Sequence, residues 1–182
     1  VLRNHSIITE YKKQELPNYE VFDEKRYFVS GSSPGIFEVN GLRVALSVCE
    51  DIWHEKVVKQ AQENGANLML NINASPFHLR KIEDRKRLIS GHAAKYELPI
   101  IYANQVGGQD ELVFDGTSMA MDGNGKQVLQ LDKFKSDSRI ISFVENDDVL
   151  IVENEMVIPE DNELEEVYQA LVIGAKDYIE KN

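Results

Sequence analysis

Leu42-Arg43-Val44-Ala45-Leu46-Ser47-Val48-Cys49-Glu50-Asp51-Ile52-Trp53-His54-Glu55 reads as a buried strand, a turn and the approach to a helix. The apolar run Val44–Val48 has strand chemistry, and the only cysteine of the chain, Cys49, closes it. Two acids follow, and then Val57, Val58 and Ala61 recur at helical spacing until Gly65 stops the pattern. The thiol therefore stands at the carboxyl end of a strand, in a strand-to-helix turn. In open α/β sheets such turns line the ligand crevice, and a turn that opens a helix leaves backbone N–H groups free. A nucleophile is useful in that place. The alternative is a small buried hydrophobe that closes a strand.

Outward from this stretch the pattern repeats. Ser6–Tyr11 reads as a strand delivering Lys12 and Lys13, followed by a turn-rich loop through Tyr19 and by Phe22–Phe28, where charges interleave with aromatics. Ser30–Gly35 is a link, Ile36–Val39 a short strand, and Asn40-Gly41 a two-residue hairpin turn into the Cys49 strand. Downstream, Asn67–Asn73 is a second buried strand, and Ser75-Pro76 fits an N-cap and first helical position. Ile82, Ile89, Ala93 and Tyr96 mark one face of a helix that stops before Pro99, and Ile100–Asn104 is a third strand. A Gly-rich loop over Gly107–Glu111 leads to Gly116–Met121, a turn at Asp122–Gly125 and strands at Lys126–Leu131 and Arg139–Phe143. Glu163–Lys181 is an amphipathic helix. Strand, helix, strand, helix, strand, then hairpins imply a parallel sheet with antiparallel additions and helices on a face: an α/β layer fold.

Composition narrows the function classes. With 42% apolar and 28% charged residues among 182, the chain has the material for one folded domain with a real core. A net charge of -11 excludes the basic footprint that nucleic acid or an anionic membrane requires. One cysteine excludes an internal disulfide and a Cys-rich zinc site, which suits the cytoplasm. No apolar run approaches the ~20 residues of a bilayer span, and no signal leader opens the chain. The chain starts at Val1 in mid-pattern and ends within a helix, so it reads as a piece of a longer protein.

Two strings carry a family resemblance. Lys13-Gln14-Glu15-Leu16-Pro17-Asn18-Tyr19-Glu20-Val21-Phe22-Asp23-Glu24-Lys25-Arg26-Tyr27-Phe28 and Cys49-Glu50-Asp51-Ile52-Trp53 together resemble the nitrilase superfamily. Within it the likeness is greatest to the glutaminase domains of glutamine-dependent NAD synthetases, and it extends over Asn71–Phe77 and Gln105–Ser118. The resemblance implies a nitrilase-like α-β-β-α sandwich, here an incomplete portion lacking its N-terminal strands and helices. Residues 1–150 would be the C-terminal portion of the glutaminase domain. Residues 151–182 would be a linker and first helix toward a synthetase domain, where ATP and magnesium are expected.

It also implies roles. Cys49 is the nucleophile, Lys13 the cation beside it, and Glu24 a second glutamate that positions the lysine; Tyr19, Glu50 and Ser75 fall where relatives hold glutamine. The thiolate would attack the γ-carboxamide, ammonia would leave, and water would hydrolyse the thioester. A lysine favours the thiolate and stabilises the oxyanion, with the Glu50 N–H as second donor. The ammonia would serve ATP-dependent NAD synthesis from deamido-NAD. The general-base glutamate of the family belongs before Lys13 and is not in this chain. Glu10, on a strand, would face away from Lys13. The chain by itself is therefore expected to be nearly inactive, since each proton-transfer role is worth about 10²–10⁴-fold.

Plainer readings stand beside these. Lys12 and Lys13 read equally as solvated lysines, Glu24 as part of a surface ion-pair ladder, Tyr19 and Trp53 as core or rim aromatics, and Ser75 as a helix cap. His5, His54, His78 and His92 lack metal-ligand spacing. Two rival functions remain: a stand-alone nitrilase-like amidase or carbamoylase, and a non-catalytic docking module. A sheet missing strands would expose apolar surface, so a homo-oligomer or a covering chain is expected.

Overall fold

The computed structural model describes residues 1–146, 149–152 and 162–181. Its centre is a six-stranded sheet. A hairpin of β3 (Gly35–Val39) and β4 (Leu42–Val48) turns through Asn40 and Gly41, both at positive φ (49° and 84°), as the tightest hairpin turn demands. Then β4, β5 (Leu68–Asn73) and β6 (Ile100–Asn104) run parallel, with Ala45, Met69 and Ile100 in register. The antiparallel strands β9 (Met119–Met121) and β10 (Gln127–Gln130) complete the order β10-β9-β6-β5-β4-β3.

The crossovers are α1 (Glu55–Glu63) and α2 (Lys81–Tyr96), and both pack on one face. Val57, Val58 and Ala61 from the first and Ile82, Ile89 and Ala93 from the second close over Ala45, Met69, Ile100 and Tyr102. Every second residue of the parallel strands faces this core, which is the period a strand imposes. Beyond the apolar rows the same face turns polar: Asn71 donates to Ser47 Oγ at 2.9 Å, both fully buried, and Asn73 donates to Asn71 Oδ1 at 2.7 Å. This polar end lies at the strands' carboxyl termini.

The opposite face is less covered. Val44 and Leu68 pack with Phe143 and Leu150 from the hairpin of β11 (Phe143–Asn146) and β12 (Val149–Val152). Leu46, Val48 and Ile72 instead border an open apolar trough with Leu2 and Ile7, and Ile72 is 57% exposed. One helical layer and one sheet of the expected sandwich are thus in place. The boundary between residues 150 and 151 falls inside β12, and the linker 153–161 lies outside the described residues.

Four expectations need correction. The strand expected over Ser6–Tyr11 reduces to β2 (Ser6–Ile7), paired with β1 (Leu2–Arg3); the segment that carries Lys13 has no sheet partner among the described residues. Ser75-Pro76 does not start a helix. The backbone crosses residue 80 at φ 64°, and α2 begins only at Lys81 because the Ser75 polar groups are bonded elsewhere. Gly107–Glu111 is not a plain loop but part of a hairpin of β7 (Val106–Gln109) and β8 (Leu112–Asp115). Its glycines admit α3 (Glu163–Lys181): a Cβ on Gly108 would stand 3.2 Å from both Asp177 Cβ and Gly174 Cα. The Asp177 carboxylate accepts the Gly108 N–H at 2.8 Å, and Lys181 donates to the Gly108 carbonyl. Finally, the strand expected over Arg139–Phe143 starts where that one was to end.

Candidate active site

Cys49 follows β4 directly and opens a 3-10 turn, Cys49–Trp53, that leads into α1. Its φ is 47°, the left-handed region that costs a side-chain-bearing residue on the order of 1–3 kcal/mol. Asp51 Oδ2 accepts the Val48 N–H at 2.9 Å and ties the turn back to the strand end. A sharp bend of this kind lifts a side chain off the sheet. The N–H groups at the start of the turn, that of Glu50 included, have no partner within it.

The thiol faces a cleft of about 240 Å³ lined by Tyr19, Phe22, Cys49, Glu50, Trp53, Ser75 and Lys81. Four of the residues expected in the site therefore share one cavity: Cys49, Tyr19, Glu50 and Ser75. Tyr19 donates from its hydroxyl to Glu50 Oε2 at 2.8 Å, and Phe22 meets the Tyr19 ring edge-on at 6.1 Å. Burial and the Glu50 carboxylate push the Tyr19 hydroxyl above its ordinary range, so it remains a donor. His54 Nε2 lies 3.7 Å from Glu50 Oε1.

Lys13 and Glu24 are not among the residues lining the cleft, yet the charges of both act on the thiol. The ammonium donates to both carboxylate oxygens at 2.7 Å, and both side chains are largely buried. This pair is no surface ladder. Burial pushes the Cys49 thiol above its ordinary range, and the Lys13 charge is the first influence that pulls it down; Glu50 and Glu24 push upward and Lys81 pulls downward. The nucleophile is thus a thiol in a desolvated setting, moderated by two cations and two carboxylates.

Two features escaped the sequence. Lys81 begins α2, and burial together with Arg85 lowers its affinity for a proton. Sequence reasoning placed it inside a helix starting at Ser75; a lysine at a helix's first position, against the macrodipole, was the available signal. The second is a buried network behind Ser75. Arg85, 2% exposed, donates to both oxygens of Asp115 at 3.0 and 2.8 Å, and to the Ser75 carbonyl, the Ser75 Oγ and the Pro76 carbonyl. Asn104 Oδ1 accepts the Ser75 N–H at 2.9 Å. Ser75 is therefore held by α2 and β6, with Asp115 of β8 holding the guanidinium. Tyr102 stacks near the Arg85 guanidinium, and burial pushes its hydroxyl up to about 12.

Among the described residues no group of histidine, cysteine and acids could hold a metal ion, and no helix is long and apolar enough to cross a membrane.

The sequence and the fold both have known counterparts. A family model for carbon–nitrogen hydrolases matches residues 2–152. The glutamine-dependent NAD(+) synthetase of Aquifex aeolicus is 35% identical over 212 residues, covering 100% of this chain and 37% of that protein. A solved glutamine-dependent NAD+ synthetase from Acinetobacter baumannii, in complex with ADP, superposes with a TM-score of 0.91 at 38% identity, over 98% of this chain and 34% of that one. An amidase from Nesterenkonia sp. AN1, solved with the acetamide moiety of fluoroacetamide added at its active site cysteine, gives a TM-score of 0.61 at 28% identity, over 68% of this chain and 46% of that one. The chain spans about a third of the length of the curated relatives it matches.

Proposed function

The chain belongs to the carbon–nitrogen hydrolase family, and from that premise we propose that it hydrolyses the side-chain amide of glutamine and supplies the ammonia to NAD synthesis. One observation carries the reading. The only cysteine sits on a strained bend above a cleft, with the charge of a carboxylate-held lysine acting on its thiol.

Cys49 Sγ, as thiolate, attacks the glutamine Cδ. The carbonyl oxygen gains charge, which Lys13 and the Glu50 N–H offset. The C–N bond breaks, the nitrogen takes a proton and leaves as ammonia, and a γ-glutamyl thioester remains on Cys49. Water then adds to that carbon, and the Cys49–acyl bond breaks to give glutamate and the free thiol. Both halves need a proton acceptor. Glu24 is committed to Lys13 and Glu50 to Tyr19, so we assign that role to a carboxylate outside the described residues.

Substrate binding follows from charge. Glutamine's α-ammonium suits the Glu50 carboxylate, oriented by Tyr19; its α-carboxylate suits Lys81; Ser75 supplies a polar partner. The ammonia acceptor in this proposal is a synthetase domain, as the relatives' name of glutamine-dependent NAD(+) synthetase suggests, with deamido-NAD, ATP and magnesium as its expected partners. The reading includes a cytoplasmic setting, in keeping with a lone free thiol, and self-association through the open apolar trough.

A diazo-ketone analogue of glutamine tests the proposal in the whole protein. Expected is one covalent adduct at Cys49 by mass spectrometry, loss of ammonia release from glutamine, and neither adduct nor activity in Cys49→Ala. Glutaminase activity that survives Cys49→Ala refutes it.

A further inference from the structure

We infer that Asp51, which does not line the substrate cleft, is the positioning residue that sets Lys13 against Cys49. The inference rests on the roles just proposed for those two residues. Asp51 is 0% exposed, and its carboxylate has four donors. Oδ1 accepts the backbone N–H groups of Gln14 at 3.0 Å and Glu15 at 2.8 Å; Oδ2 accepts the Tyr11 hydroxyl at 2.7 Å and the Val48 N–H at 2.9 Å. One side chain thus grips the residue before the nucleophile and the chain on both sides of Lys13.

The grip matters because the Lys13 segment has no sheet ladder among the described residues to fix its register. Its other backbone tie is the Gly31 N–H, which donates to the Lys13 carbonyl at 2.8 Å. The lysine side chain is aimed by Glu24, but Glu24 fixes it relative to its own loop rather than to Cys49. The Asp51 bonds reference that loop to the turn carrying the thiol on both sides of Lys13 itself, whereas the Tyr19–Glu50 bond does so six residues further along. Burial and the Asp51 bond hold the Tyr11 hydroxyl well above its ordinary range, so it donates throughout the working pH range. Charge-assisted bonds of this kind are short and directional.

Asparagine at this position presents an N–H₂ group to two donors and releases one half of the grip. Phenylalanine at position 11 removes a single donor and leaves the carboxylate intact. The charged groups that act on the thiol are Lys13, Lys81, Glu24 and Glu50, and of these only Lys13 and Glu24 belong to the gripped loop system.

The test uses the whole protein with Asp51→Asn, Tyr11→Phe and each change combined with Lys13→Met. Two quantities are read: glutaminase kcat and KM, and the pH midpoint of Cys49 alkylation by iodoacetamide. In Asp51→Asn, kcat is expected to fall by about 10²-fold, the cost of roughly 1 Å of misplacement, with KM for glutamine within about threefold. The alkylation midpoint is expected to rise, with a smaller rise in Tyr11→Phe, and both rises should vanish in the Lys13→Met background. A midpoint unmoved by Tyr11→Phe and by any folded Asp51→Asn overturns the inference, as does a rise that persists without Lys13. If the wild type releases no ammonia from glutamine, the proposed function fails while the alkylation midpoints still decide this inference.

Discussion

At the residue scale, the environment of Cys49 sets how the site responds to pH. Burial disfavours the thiolate, so the alkylation midpoint should lie above the ordinary value of about 8.5. Because the thiolate is the reactive form, the rate should climb with pH up to that midpoint and level off beyond it. Removing the first influence that opposes burial, in Lys13→Met, should move the midpoint higher still and reduce kcat about 10²–10³-fold, the loss typical of one oxyanion partner. Iodoacetamide kinetics against pH and steady-state glutaminase assays check both. Lys81 makes a different prediction. If it takes the substrate carboxylate, Lys81→Met should raise KM for glutamine about 10–100-fold, the worth of a hydrogen bond to a charged group, and change kcat much less. An unchanged KM would remove Lys81 from the substrate's partners.

At the scale of elements, the ion pair between α2 and β8 decides where Ser75 stands. Arg85 and Asp115 are both buried, and the guanidinium reaches three acceptors on Ser75 and Pro76 besides the carboxylate. Removing one partner of such a pair strands the other charge. Arg85→Met should destabilise the fold by about 3–5 kcal/mol in urea titration, and where folded it should also weaken glutamine binding through Ser75. This network also explains a sequence reading that failed. Ser followed by Pro carries the chemistry of a helix start, yet a distant arginine takes the serine's carbonyl and hydroxyl, and Asn104 takes its N–H. Helix onset at Lys81 was set by partners 10 and 29 positions from Ser75, on the order of a whole supersecondary unit. The hairpin of Val106–Gln109 and Leu112–Asp115 was missed for a related reason: its glycines make room for α3, and close approach between elements leaves no periodic signal.

At the scale of the molecule, the sheet is covered on one face and partly open on the other. The trough bordered by Leu2, Ile7, Leu46, Val48 and Ile72 is an apolar surface of the kind that folded proteins cover. Expressed by itself, the 182-residue chain should self-associate in sedimentation velocity or bind a hydrophobic dye. If the proposed proton acceptor stands beyond these 182 residues, the chain should also release ammonia from glutamine at least about 10²-fold more slowly than the whole protein. A monodisperse chain with full glutaminase activity would contradict both expectations.

The sequence by itself determined the strand-helix-strand-helix-strand order of the parallel core, the strand-to-helix turn at Cys49 and the family, because these depend on local periodicity and on contiguous strings. Helix Glu163–Lys181 and the Asn40-Gly41 hairpin were legible for the same reason. Only the tertiary structure decided that Lys13 is held by Glu24, that Asp51 grips its loop, that Lys81 enters the cleft and that Arg85 fastens Ser75. Each of these is a contact between side chains or backbone groups far apart in the chain. Hydrogen bonds and charge act over a few ångströms in space, and single-sequence patterns record no such distance.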